Sequence, residues 1–337
     1  MIPEADLEAM DALLDRHWPC LDGARIFMTG GTGLIGRWML EALARAPIDV
    51  EVLVLSRDPA RFAARAPHLA ERFALMAGEI TSFAFPDGPF THVVHGATDA
   101  SARLNAEDPR RMFDTIVEGT RRTLDLAVKR RVERVLFLSS GAVYGAQPPE
   151  LTHVPEDWRG APDVRDPRSA YGEGKRAAET LCSIYGRQFG IDVVTARIFA
   201  VLGPLLPLDL HFAVGNFIRD AMAGEPIRVE GSGQAVRSYL YLADVAAWLW
   251  TMLARAPRRT TYNVGSEEAV SIADLAARVA AVLGGPGPEI LGRPDPGWNP
   301  GAYVPSTRQI RSALRVAPTV GLDEAIGRTA MANGWTE

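Results

Sequence analysis

Short apolar runs without a polar alternate face recur along the first two thirds of the chain. Between them lie longer stretches with apolar positions at three- and four-residue spacing. "RIFMTG", "VEVLVLS", "ALMAGEI", "THVVHGAT" and "RVLFLSS" have the first pattern; "RWMLEALARA", "ARFAARAPHLAERF" and "RRMFDTIVEGTRRTLDLAVKR" have the second. Strands apolar on both faces, alternating with helices, predict a parallel sheet buried between two helical layers, the doubly wound α/β class. Further on, "GIDVVTARIFAV" and "TYNVG" predict two more strands, and "SYLYLADVAAWLWTMLAR" predicts a strand end running into a helix whose Trp248 and Trp250 are core residues. Pro and Gly become frequent in "GPLLPLDLHF" and "GGPGPEILGRPDPGWNPGAYVP", which suits loops over a cleft.

Composition narrows the class without changing it. With 337 residues and 47% hydrophobic content, the chain is long enough for one large α/β domain and a smaller lobe. The net charge of −5 and the scatter of the 36 Lys and Arg residues give no basic face for nucleic acid. Cys20 and Cys182 have no metal-ligand spacing, so no metal site or disulfide framework is expected, and a reducing cytoplasm fits. The leading "MIPEADLEAMDALLDRHW" is acidic and helical in pattern, unlike a signal peptide. No stretch reaches the ~20 apolar residues of a membrane span.

"TGGTGLIG" follows the first strand and opens the first helix. Gly30, Gly33 and Gly36 let the backbone turn tightly, approach a pyrophosphate and pack the helix on the strand. Thr32, Leu34 and Ile35 complete this loop, which reads as a dinucleotide-binding turn of a Rossmann domain. The second strand ends "LVLSRDP", with Ser56 and Arg57 where an NAD-binding chain commonly has a carboxylate. The missing carboxylate removes repulsion of a 2′-phosphate and Arg57 offers it a bidentate partner, so the cofactor is expected to be NAD(P), leaning to NADP. Asp58 is expected to cap the following helix or, as the alternative, to face the ribose.

"SSGAVYG" ends the fifth predicted strand in hydroxyls, and "SAYGEGKRAAE" downstream places Tyr171 and Lys175 four residues apart on one helix face. An ammonium beside a phenol favours the phenolate, and an oxidised nicotinamide adds a second positive charge. Tyr171 is therefore the expected proton carrier, Lys175 its partner, and Ser140 the hydroxyl that holds the same substrate oxygen. Gly141 and Ala142 are expected to leave room for the body of the substrate.

Taken with "RIFAVLGP", "GNFIRDAMAGEPIRVEGSG", "RSYLYLADVA" and "YNVGS", these motifs make the chain from Ala24 onward resemble the extended short-chain dehydrogenase/reductases of the NAD-dependent epimerase/dehydratase kind, which modify nucleotide sugars. The resemblance implies a catalytic triad of Ser140, Tyr171 and Lys175. It implies a substrate diphosphate held by Arg237 in "R-x-x-x-Y-x-x-D", with Arg293 a second candidate and Asn216 a source of an amide or a helix cap. It also implies Glu79 and Ile80 near the adenine, Ala97, Thr98 and Ser139 along the dinucleotide, hydride transfer at a sugar carbon, often C4, and a cytoplasmic homodimer built from helices near residues 106–130 and 169–188. The organisation expected is a helical extension over 1–23, a dinucleotide-binding domain over 24–199 plus about 236–265, and a substrate-binding lobe over about 200–235 plus 266–337.

Several positions depart from the family pattern. Dehydratases of this family carry an Asp-Glu pair directly after the catalytic hydroxyl, and decarboxylases keep the Glu; Gly141 and Ala142 stand there and do no acid/base work. Epimerisation or net reduction of a 4-keto sugar is what remains. Ala200 and Ile116 replace two asparagines usual in the family. The rival readings are an NADPH-dependent reductase of a non-nucleotide carbonyl, for which Arg237 has no use, and a dinucleotide-sensing regulatory protein, for which the triad has none. His92 and His95 are expected to satisfy local backbone, with a cofactor-edge contact as the alternative for His95.

Overall fold

The computed structural model of the protein describes residues 2–98, 102–210, 213–294 and 301–336; part of the Pro-rich segment, 295–300, lies outside them. Six of the predicted runs form β1 (Ala24–Thr29), β2 (Val50–Ser56), β3 (Ala74–Ala77), β4 (His92–His95), β5 (Arg134–Ser140) and β6 (Asp192–Ile198). With Thr261–Val264 they build a seven-stranded sheet in the order Thr261–Val264, β6, β5, β4, β1, β2, β3, and every pairing is parallel. The chain winds outward from β1 through β2 to β3 and then returns to β4 on the other side of β1. This reversal opens a crevice at the carboxyl ends of β1 and β4, where ligands bind in such sheets.

The all-apolar strands are explained by a core on each face. Ile26, Met28, Leu136 and Leu138 point to one side, with Trp38, Trp248 and Trp250 from the helices Leu34–Arg45 and Leu242–Arg255. Phe27, Val135 and Phe137 point to the other, with Met112, Ile116, Ala178 and Cys182 from the helices Pro109–Arg130 and Ala170–Phe189. The two tryptophans expected in the core are there, both fully buried.

The remaining segments form a lobe over the carboxyl end of the sheet. It contains the helices Ala213–Met222 and Ile272–Leu283, a pair of short parallel strands, Arg228–Val229 and Glu289–Ile290, and a three-stranded patch in which Val236–Arg237 lies between Val270–Ser271 and Ala302–Tyr303. The first helix, Glu4–Leu14, packs on the helix Leu242–Arg255. Its buried Asp6 accepts a 2.5 Å hydrogen bond from the Tyr241 hydroxyl and pairs with Arg328 of the last helix. Among the described residues, no helix is long and apolar enough to cross a membrane.

Candidate active site

The glycine loop occupies the crevice. Gly30 has φ +78°, and a side chain there would also strike the Gly96 carbonyl carbon at 2.5 Å. A methyl on Gly36 would run into the Gly30 carbonyl oxygen and the Gly31 Cα, so the helix reaches the loop only because both residues lack side chains. Gly33 is extended and precedes the first turn of Leu34–Arg45, whose leading amides have no partner within the helix and suit an anion. Beside the loop, Ala97 N donates to Thr29 Oγ1 at 3.2 Å, and the Thr98 hydroxyl is buried without a partner. A tight glycine cradle, free helix amides and an orphaned hydroxyl fit a dinucleotide.

At the adenosine end, Ser56 is buried and its Oγ accepts from Asp58 N at 3.2 Å. The Asp58 carboxylate accepts from Arg61 N at 2.9 Å, the capping role rather than the ribose role. Arg57 is exposed, and among the described residues no acid forms an ion pair with it. Of the two residues expected near the adenine, Glu79 is exposed after β3, and Ile80 is buried against Gly119 in the core.

Ser140 closes β5 and caps the short turn Gly141–Tyr144, its Oγ accepting from Ala142 N at 3.2 Å. The helix Ala170–Phe189 brings Tyr171 and Lys175 alongside. Lys175 is buried, donates from Nζ to Leu138 O at 2.8 Å, and lies 5.2 Å from the Phe137 ring centroid and 6.0 Å from that of Tyr171. Burial lowers its pKa to about 8, while the Glu179 charge works in the opposite direction. Burial pushes the Tyr171 phenol above the usual tyrosine range, and a hydrogen bond with Ser140 opposes it. In the protein by itself, therefore, the phenol is raised and holds its proton, where the sequence led us to expect a lowered one. The three expected catalytic groups nevertheless come together, Ser140 from the end of β5 and Tyr171 and Lys175 from one helix face.

Gly141 differs from expectation. A Cβ there would meet Phe199 Cζ at 2.6 Å and Tyr303 OH at 2.7 Å, so the space anticipated for substrate is filled by two rings. Tyr303 was missed in the sequence. Its hydroxyl lies 3.5 Å from Ser140 Oγ, and its ring packs 4.5 Å from that of Phe199. It reaches the site because Tyr303 pairs in register with Arg237, so two adjacent strands of the lobe hold the two side by side. The one sequence signal was its place within the Pro-rich segment.

Arg237 is half-buried and donates to the carbonyls of Val236 at 2.8 Å and Gly301 at 3.3 Å. Asn216 sits inside the helix Ala213–Met222, which rules out the capping alternative, and it lines a lobe cleft of about 890 Å³ with Phe217, Arg219, Arg228 and Ser232. Arg293 is exposed just past Gly292, which bonds Gly231 of the same cleft at 3.3 Å. The Ser139 hydroxyl is bound to Glu179 at 2.6 Å. His95 is buried between Thr29 and Thr120, at 2.7 and 3.0 Å, and burial holds its pKa at about 3, so it is a neutral structural histidine. His92 lies at the opposite end of the same strand, against Thr91. Ile116 packs its side chain toward Gly174, and Ala200 gives only its carbonyl, to Leu240 N.

The family model of the NAD-dependent epimerases and dehydratases matches residues 26–265. The chain belongs to this NAD-dependent epimerase/dehydratase family. Among its relatives, UDP-glucuronic acid decarboxylase 1 of Xenopus tropicalis is 31% identical over 313 residues, 91% of this chain and 72% of that protein. UDP-glucuronic acid decarboxylase 6 of Arabidopsis thaliana is 31% identical over 90% of this chain and 86% of its own. Among solved structures, the UDP-glucose 4-epimerase of Thermus thermophilus in complex with NAD superposes with a TM-score of 0.76 at 26% identity, covering 93% of this chain and all of that one.

Proposed function

We propose that this member of the family is an NADP(H)-linked oxidoreductase of a nucleotide-diphosphate sugar, reducing a keto group at a ring carbon without removing carbon from the sugar. The observation that carries this reading is the composition of the groups around the reacting oxygen: two phenols and a hydroxyl from Tyr171, Tyr303 and Ser140, with Gly141 and Ala142 directly after the serine and no carboxylate from that turn. Decarboxylation and dehydration need a carboxylate there in this family; hydride transfer with one proton does not.

A bound reduced nicotinamide supplies the hydride. Ser140 donates to the carbonyl oxygen and polarises it, and Tyr171 delivers its phenolic proton to the same oxygen as negative charge develops on it. Lys175 offers an ammonium to the nicotinamide ribose and to the tyrosinate left behind. Arg237 and the lobe cleft bind the diphosphate and nucleoside, fixing the sugar against the triad. The exposed Arg57, beside an Asp58 already committed to its helix cap, supports NADP(H) and hence net reduction over internal epimerisation.

The test is incubation of the purified protein with NADPH or NADH and a panel of UDP- and dTDP-linked sugars, 4-keto sugars and UDP-glucuronic acid, with absorbance at the reduced-cofactor band and product mass followed together. Stoichiometric NADPH loss with a gain of two hydrogens is the expected result. An isomer formed without cofactor loss selects the epimerase reading, and release of carbon dioxide from UDP-glucuronic acid refutes the role assigned to Ala142.

The homodimer expected from the resemblance stays part of this reading. The helices Pro109–Arg130 and Ala170–Phe189 leave Phe113, Ile184 and Phe189 exposed after covering the sheet, which supports a second copy docking there.

A further inference from the structure

Behind the reacting groups runs a polar chain that the chemistry above does not use. Tyr171, Lys175 and Glu179 follow at four-residue spacing and share one face of their helix. Glu179 is held on both oxygens: Oε1 accepts from Ser139 Oγ at 2.6 Å and from Arg197 Nε at 3.0 Å, and Oε2 accepts from Arg197 Nη2 at 2.7 Å. Ser139 and Arg197 are direct cross-strand partners on β5 and β6, so the sheet presents hydroxyl and guanidinium to the carboxylate as a unit. Arg197 is fixed in turn. Its Nη1 donates to the Tyr144 hydroxyl at 2.8 Å and to Glu156 O at 3.0 Å, its guanidinium lies 4.7 Å from the Tyr144 ring centroid, and Tyr144 donates to Asn263 Oδ1 at 2.8 Å.

Two largely buried cations, Lys175 and Arg197, thus share one carboxylate. The groups facing Lys175 are Tyr171, Glu179 and Cys182 of its own helix, the Leu138 carbonyl of β5, and neutral His95 of β4, with Arg197 of β6 reached through Glu179. Glu179 is the one carboxylate in that set. Only two lysines occur in the chain, Lys129 and Lys175, against a large excess of arginines. A lysine at 175 supplies a compact cation that burial can titrate, which an arginine cannot.

We propose that Glu179 is a positioning residue for the proton transfer: its carboxylate, locked by Arg197 and Ser139, keeps Lys175 an ammonium beside Tyr171 and screens it from the Arg197 cation. The catalytic consequence rests on Tyr171 being the proton donor as read above, whereas the state of Lys175 can be measured without any substrate.

The two-lysine composition makes the measurement direct. Protein labelled with ε-13C-lysine gives two side-chain signals, and Lys129→Arg assigns them. The Lys175 signal is expected to titrate near pH 8 in the parent, the value to which its burial brings it. In Glu179→Gln its midpoint is expected about one pH unit lower or more, with that of the exposed Lys129 unchanged. Glu179→Gln/Arg197→Met removes the stranded cation as well. Its Lys175 midpoint is expected above that of the single variant and below that of the parent, so the comparison with the parent serves as the second readout where Glu179→Gln fails to fold. In turnover, a shift of about one pH unit in Glu179→Gln is expected to lower kcat by roughly twofold at pH 7 and roughly fivefold at pH 8 with KM little changed, moving the alkaline limb to lower pH, with partial rescue by Glu179→Asp. A Lys175 midpoint that is the same in the parent and in both variants overturns the proposal. Absence of turnover on every nucleotide sugar sinks the function proposed above, yet leaves the lysine titration to decide the role of Glu179.

Discussion

Lys175 Nζ lies 6.0 Å from the centroid of the Tyr171 ring, one helical turn away and on the same buried face. Burial brings the ammonium to a pKa of about 8 and pushes the phenol above its ordinary value. Reduction needs the phenol protonated and the lysine charged. Below about pH 8 both conditions hold; above it the lysine loses its proton first, while the phenol is still protonated. The rate of ketone reduction is expected to be flat on the neutral side and to fall up to tenfold per pH unit above about 8. A kcat profile still rising at pH 9 would contradict this order of titration.

Tyr171→Phe removes the proton and keeps the ring. Because Lys175 and the glycine cradle are untouched, cofactor affinity is expected to stay within about twofold, while kcat falls by about 10²–10⁴. Fluorescence titration with NADPH beside the kinetic assay separates the two effects, and a variant with near-parent turnover would exclude Tyr171 as the acid.

Arg57→Ala tests the cofactor reading. A lost charge-assisted contact to a 2′-phosphate corresponds to roughly 10- to 100-fold weaker NADPH binding, with NADH little affected. Equal weakening of both cofactors by calorimetry would assign Arg57 to the surface instead.

Gly141→Ala probes the two rings above the catalytic serine. The added methyl must displace Phe199 or Tyr303, which pack against each other at 4.5 Å. A loss of about 1–3 kcal/mol of stability is expected, together with a drop in kcat larger than that of Phe199→Leu, which makes room for the methyl. Rescue of Gly141→Ala by adding Phe199→Leu would locate the damage in this contact; a Gly141→Ala protein with parent stability would show that the rings yield freely.

Ile184→Glu places a charge on the exposed apolar part of the helix that carries the triad. Light scattering is expected to give a dimer for the parent and a monomer for the variant, with the helix content unchanged by circular dichroism. A monomeric parent at micromolar concentration ends the dimer reading.

Features written locally were legible in the sequence. The glycine loop depends on spacing within eight residues, the Tyr171–Lys175 face on one helical turn, and the sheet on runs apolar on both sides, and each is found where the pattern placed it. Contacts between distant segments were not legible. Tyr303 meets Ser140 across a separation of 163 positions, through a strand pairing of the lobe for which two residues carry no readable period. Glu179 looks in sequence like any helix-surface acid, and only the alignment of Ser139 with Arg197 on neighbouring strands turns it inward. Gly141 was read for the room it leaves, because a sequence says that a side chain is missing and not what fills its place.

The buried Asp6 gives the amino terminus a meaning beyond that of an appendage. The family match starts at residue 26, so a shortened protein cut at that boundary would still contain every residue of the triad and the glycine loop. It would also bare the Tyr241 hydroxyl and leave Arg328 only its partner Glu324, because the acceptor that Tyr241 and Arg328 share comes from the first helix. The opening and closing helices are buckled together through a carboxylate, and Tyr241 sits four residues beyond Arg237 on the segment that feeds the lobe. Trimming the start of the chain therefore loosens the mounting of the strand that carries Arg237, a region some 230 positions away in the polypeptide but one buckle away in space.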